Sequence, residues 1–198
     1  MVDTSLEDVE RHNRYYARAL DLMRNEILLH GQPRTPHPGW FARRRLRHGI
    51  RLLEAALALN PTSWQNRFWI GKAHQRLGEQ EEAARWLMDA HRLAPDEPWP
   101  ANEAGIAALE LGQVKVAISL LRRFAAVGSN HSASEYNLGL ALLLDQQPQV
   151  AREVLVAAAR VSGGSLAENL LMIVDDVIAG RCTCPSSLAQ VRQLLPRR

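Results

Sequence analysis

The sequence predicts an all-α fold, a solenoid of paired helices, from three features. Gly71, Gly105 and Gly139 recur at a step of 34 residues, and Ala83, Ala117 and Ala151 keep the same step. Leu87, Leu121 and Leu155 follow it too. Within each period the apolar residues fall into two stretches of about a dozen residues, long enough for helices and too long for strands. A repeat of this length marks an array of supersecondary units, each burying its apolar face by stacking on its neighbours.

The elements follow in order. Residues 1–30 read as an N-terminal helix, with Thr4 as cap and Glu7 completing a capping box. Leu6, Val9, Tyr16, Leu20, Met23 and Ile27 form one stripe, and the helix is expected to run to about Leu29. That stripe should dock back onto the array, leaving a monomer, rather than onto a second copy. Residues 31–39, GQPRTPHPG, read as a stiff extended linker. A helix is expected from about Trp40 to Asn60. Leu46, Ile50, Leu53 and Leu57 form its inner face, and Arg43, Arg47 and Arg51 lie on another stripe.

Residues 40–63 make a partial repeat, with Leu53, Ala56 and Pro61 in register but Gly49 where the recurring Ala belongs. Three full units follow over residues 64–165, each of two helices. The recurring Gly lets the partner helix approach, and the recurring Leu is expected to fill the gap between successive units. Gly78 and Gly112 end first helices in a left-handed residue; Gln146 and Gly180 stand in the same register. Residues 166–198 read as a cap: one more first helix, the stretch RCTCPSS, and a short helix opened by Ser186 or Ser187. Pro185 breaks the register there.

These positions resemble the tetratricopeptide repeat (TPR) pattern, W-x2-L-G-x2-Y then A-x3-F, A and P. The resemblance covers residues 64–165 and extends partially to either side. It departs at Arg67, Ala101 and Glu135 in place of Trp, and at His74, Ala108 and Leu142 in place of the aromatic. The loop VGSNHS lacks the final Pro, and Phe124 stands for an Ala. The family resemblance implies a concave surface built from the first helices. It would carry Phe68, Lys72 and Arg76 from one unit, Trp99, Asn102 and Ile106 from the next, and Tyr136, Asn137 and Leu140 from the third. These aromatic and apolar side chains would anchor a partner; alternatively they serve packing within the chain, or the N-terminal helix fills the groove. The residues for a clamp on a peptide's terminal carboxylate do not fall at the positions the family uses.

Composition narrows the classes. The apolar runs are too short for a bilayer span, and the acidic start MVDTSLEDVE lacks a signal-peptide layout. Two cysteines and no export signal point to a reducing cytoplasm. Only Lys72 and Lys115 are lysines among 24 basic residues, and the richness in Arg, Ala and Leu suggests a GC-rich bacterial source. A net charge of +3 does not announce a nucleic-acid binder. The local patch Arg34–Arg51, with Arg43, Arg44, Arg47 and Arg51, could meet an acidic surface or phosphate, or simply be a solvated helix face.

Nothing recommends a catalytic centre. The seven histidines pair at no metal-ligand spacing, and His74 reads as a core substitute. Cys182 and Cys184 lack the second pair that a zinc site needs, and no nucleophile motif or phosphate loop appears. No metal or cofactor is therefore expected. The function implied is a non-catalytic adaptor or chaperone holding a peptide or helix of another protein, similar in size and in its extra N-terminal helix to small TPR chaperones of bacterial secretion. The alternatives are a fixed subunit of a larger assembly, or a binder of an acidic partner or nucleic acid through the arginine segment, with nucleic acid disfavoured.

Overall fold

A computed structural model describes residues 5–27, 38–126, 132–162 and 165–195. Among these there are ten helices and no strand: α1 (Leu6–Met23), α2 (Trp40–Leu59), α3 (Trp64–Leu77), α4 (Gln80–Leu93), α5 (Pro98–Glu110), α6 (Val114–Ala126), α7 (Ser132–Leu144), α8 (Pro148–Ser162), α9 (Ser165–Ile178) and α10 (Leu188–Leu194). They divide into two compact units, Met1–Pro100 and Ala101–Arg198.

The 34-residue register has a physical basis at two positions. Gly78, Gly112, Gln146 and Gly180 all have positive φ, between 60° and 82°. Each ends a first helix with the same pair of bonds: its own N–H reaches the carbonyl three residues back, and the next N–H reaches the one five back. The other position is the recurring Gly. A Cβ built on Gly71 would lie 2.6 Å from Leu87 Cγ, one on Gly105 2.7 Å from Leu121 Cγ, and one on Gly139 2.5 Å from Leu155 Cγ. The recurring Leu thus fills the notch of the Gly in its own hairpin. This corrects the expectation that it fills the gap between successive units. No side chain fits where the backbone of one helix meets the branched Leu of its partner.

In the first unit α1 pairs with α2 as the first helix of a hairpin. Ala19, Met23 and Ile27 bury against Leu46, Ile50 and Leu53 of α2 and Ile70, Ala73 and Leu77 of α3. A Cβ on Gly49 would collide with the Met23 side chain, so Met23 occupies the space an Ala would have taken. Three expectations for α1 change. Ser5, not Thr4, is its cap, accepting from Asp8 N–H at 3.2 Å; Thr4 lies outside the described residues. Leu6 and Val9 are 85% and 43% exposed, so the docked stripe begins nearer Tyr16. The helix stops at Met23 rather than Leu29. Tertiary bonds take the chain over there: the Glu26 carboxylate pairs with Arg45 of α2, and its carbonyl accepts from Arg76 Nε of α3 at 2.9 Å. The linker falls mostly outside the described residues, but Gly39 is the N-cap of α2.

In the second unit Leu121, Leu142, Leu143, Leu155, Leu170 and Val174 are fully buried in one core. The chain after α9 is tied to α7: Gln146 Nε2 donates to Pro185 O at 3.1 Å and the Cys184 thiol to Leu143 O at 3.2 Å. Ser187 caps α10, which buries Val191.

Candidate functional site

The first helices carry most of the site residues named from the sequence. In the first unit, α3 sets Trp64, Phe68 and Trp69 in a row of edge-to-face rings. Centroids lie 6.4 Å apart for Trp64 and Phe68 and 5.3 Å for Phe68 and Trp69. The row continues onto α1. Trp69 Nε1 donates to Tyr16 Oη at 3.0 Å, and the Tyr16 ring stacks on His12 at 6.3 Å. His12 Nε2 in turn lies 3.2 Å from Nδ2 of the buried Asn66. Burial raises the Tyr16 hydroxyl above its ordinary pKa despite the opposing bond from Trp69, which keeps it a neutral phenol.

Phe68 and Arg76 are half-buried and Lys72 is buried. The guanidinium of Arg76 is committed in part to the Glu26 carbonyl. His12 and Tyr16 were not singled out as site residues. The aromatic Tyr16 on the inner stripe was the available signal, but the long linker hid which helix it would meet.

In the second unit the side-chain amides of Asn102 and Asn137 bond to each other, Nδ2 of Asn137 donating to Oδ1 of Asn102 at 3.1 Å. Both are nearly closed to solvent, at 1% and 7% exposure, and Leu140 is buried within the core. Ile106 is half-buried and so is Tyr136, packed against that core. Trp99, at the start of α5, is 40% exposed. Solvent therefore reaches Phe68, Arg76, Trp99, Ile106 and Tyr136, whereas Lys72, Asn102, Asn137 and Leu140 are buried.

The arginine segment occupies the outer side of α2. Arg43, Arg44, Arg47 and Arg51 are all exposed. Arg44 sits over the Trp40 ring, 5.7 Å from its centroid. Arg47 holds the Glu79 carboxylate with both arms, Nη1 at 3.0 Å from Oε2. His74 Nδ1 is 2.7 Å from the same Oε2. Burial works against the Glu79 charge, but the bonds from His74 and Arg47 outweigh it and hold the carboxyl below its ordinary value. His74 is buried, as a core substitute would be, yet it also completes this network.

The two cysteines are free thiols. Burial, and behind it the neighbouring Cys182, push the Cys184 thiol up. Among the described residues no three His, Cys, Asp or Glu side chains gather as metal ligands would, and no helix is long and apolar enough to cross a membrane.

Helical hairpins each closed on a Gly–Leu notch, with a left-handed cap every 34 residues, define an α-solenoid. The tetratricopeptide repeat family model matches residues 41–98 and 102–165, and the chain belongs to that family. No curated protein sequence matches it. The fold is similar to MamA from Desulfovibrio magneticus RS-1, with a TM-score of 0.72 and 17% identity over 93% of this chain and 95% of that one. It is similar also to YrrB, described as a TPR protein with an unusual peptide-binding site, with a TM-score of 0.69 and 15% identity over 96% and 89% of the two chains. The first TPR of Spaghetti (RPAP3), solved with the HSP90 peptide SRMEEVD, matches over 59% of this chain and 93% of its own, with a TM-score of 0.56 and 17% identity.

Proposed function

We propose that this chain is a non-catalytic interaction module, a cytoplasmic adaptor or chaperone that holds a peptide or helix of a partner protein against the faces of its first helices. The aromatic row His12–Tyr16–Trp69–Phe68–Trp64 is the observation that carries the reading. Rings locked by edge-to-face packing and by the Trp69–Tyr16 bond lose little freedom when a ligand arrives, and such pre-organised aromatics are favoured anchors. In the second unit half-buried Ile106 and Tyr136 lie on the same two helices, α5 and α7, that carry the bonded Asn102–Asn137 pair. That the relatives YrrB and Spaghetti (RPAP3) are described with a peptide site or a bound peptide supports the same class of ligand.

A photo-crosslinking residue at Gln65, exposed on α3, compared with one at Lys115, exposed on α6, tests the reading in the native cell. A partner should be captured preferentially from Gln65. With that partner purified, Trp64→Ala and Phe68→Ala together should weaken binding by about 2–4 kcal/mol while helicity stays unchanged. Equal capture from Lys115, or an affinity indifferent to both substitutions, would reject it.

A further inference from the structure

Helix α2 turns one continuous stripe outward. Trp40, Arg44, Arg47 and Arg51 succeed one another at steps of four, three and four, which at 3.6 residues per turn places them in a single line. Trp40 and its neighbour Phe41 are 64% and 70% exposed, a large apolar surface for an isolated helix start. The far end of the line opens into a cavity of about 480 Å³ framed by α2, the end of α3 and the beginning of α4. Ile50 and Trp86 supply its apolar lining; Arg47, Arg51 and Arg85 supply cations and Glu54 and Glu82 the counter-charge. Arg47 is held by Glu79 and Arg85 by Glu82, whereas Arg51 has no ion pair among the described residues.

We propose that this stripe and cavity form a second docking site, for an acidic segment of a partner protein that also carries apolar side chains. One apolar residue would enter the cavity against Ile50 and Trp86 and another would cover Trp40, with carboxylates between them facing Arg44, Arg47 and Arg51. The dimensions suit a short segment. Trp40 to Arg51 spans about 16 Å along the helix, which about five extended residues match. The charge pattern selects against a nucleic acid. A polyphosphate chain laid along the stripe would carry its regular charges past Glu79, Glu54 and Glu82, whereas a peptide can place carboxylates at the arginines and apolar groups at the acids. The apolar lining likewise has no use for a phosphate and fits a leucine-sized side chain. This site is independent of the first-helix faces.

Fluorescence anisotropy of the full chain with three labelled probes tests the proposal. These are a peptide about seven residues long with a leucine at each end and glutamates between them, the same peptide with lysine for glutamate, and oligodeoxythymidine of matching length. The glutamate peptide should bind, more weakly as salt rises, and the lysine peptide should not. Arg44→Glu with Arg51→Glu should weaken it by about tenfold or more, through loss of two charge-assisted contacts and gain of repulsion. Both residues are exposed, so the fold is not at stake. Tyr136→Ala should leave this binding unchanged, which separates the site from the first-helix faces. Binding insensitive to the two reversals, absence of glutamate-peptide binding, or tighter binding of oligodeoxythymidine with the same arginine dependence would each overturn the proposal.

Discussion

Replacing Gly139 by Ala puts the repeat's central contact under direct test. The added Cβ would sit 2.5 Å from Leu155 Cγ and 2.6 Å from Cδ2. Cγ is the branch point of a fully buried side chain, not a flexible end. Either Leu155 leaves its rotamer or α7 and α8 separate by close to an ångström to restore ordinary contact. Overpacking of this kind costs about 1–3 kcal/mol. Ala favours the helix over Gly by about 1 kcal/mol, so the net loss is about 0–2 kcal/mol. Alone, that is a modest signal; its dependence on Leu155 is decisive. Leu155→Ala should cost about 2–5 kcal/mol by opening a cavity. In that background the clash is gone, so Gly139→Ala should become stabilising by about 1 kcal/mol through helix propensity, and the added methyl partly fills the cavity. The cycle, measured by urea unfolding followed by far-ultraviolet circular dichroism, should give a coupling of about 1–3 kcal/mol. Gly112→Ala is the control. Its φ is 71° with nothing within 4 Å of the new Cβ, so it should cost about 1–2 kcal/mol, the left-handed penalty for a residue with a Cβ, whatever residue stands at 155. If Gly139→Ala has the same effect with Leu or Ala at 155, the notch does not set the register.

Two further outcomes follow from single contacts. Gln146 has a φ of 60°, and its side chain holds Pro185 O. Gln146→Gly should therefore be near neutral in thermal melts, relief of about 1 kcal/mol of left-handed strain offsetting one lost bond, while Gln146→Ala should lose about 1 kcal/mol; a Gln146→Ala variant as stable as the parent would show that the side chain anchors nothing, and equal effects of Gly and Ala that the positive φ carries no strain. Glu79 is held below its ordinary pKa by His74 and Arg47, so its contribution is complete at neutral pH and disappears as pH falls below the unfolded value of about 4.3. Glu79→Gln should destabilise by about 1 kcal/mol at neutral pH, as a charge-assisted bond becomes a neutral one, with the gap closing in acid; a gap that widens in acid would contradict the assignment.

How far the sequence could be read depended on whether a residue's role was local or tertiary. The left-handed caps at Gly78, Gly112 and Gly180 could be read because a helix end needs positive φ and Gly supplies it. Gln146 was legible only through its register, since its strain is offset by a bond to Pro185, 39 residues away. The Gly–Leu notch was half legible: the spacing marked both residues, but not that they belong to one hairpin, which depends on how the helix pair is rotated. The N-terminal helix shows the limit most clearly. Tyr16 meets Trp69 across 53 residues, whereas the corresponding contact between Asn102 and Asn137 spans 35. The linker thus displaces α1 by 18 residues from the array's period, and counting by 34 lands in the linker rather than on the helix that fills the place. The aromatic row stayed invisible for the same reason, because two of its five rings, His12 and Tyr16, come from a helix out of register. The arginine stripe of α2 was plain as charge, but the cavity at its end is assembled from His74, Glu82, Arg85 and Trp86 on two other helices. A charge run tells where a partner's opposite charge could lie; the apolar lining at its end, which only the fold brings there, is what favours a peptide.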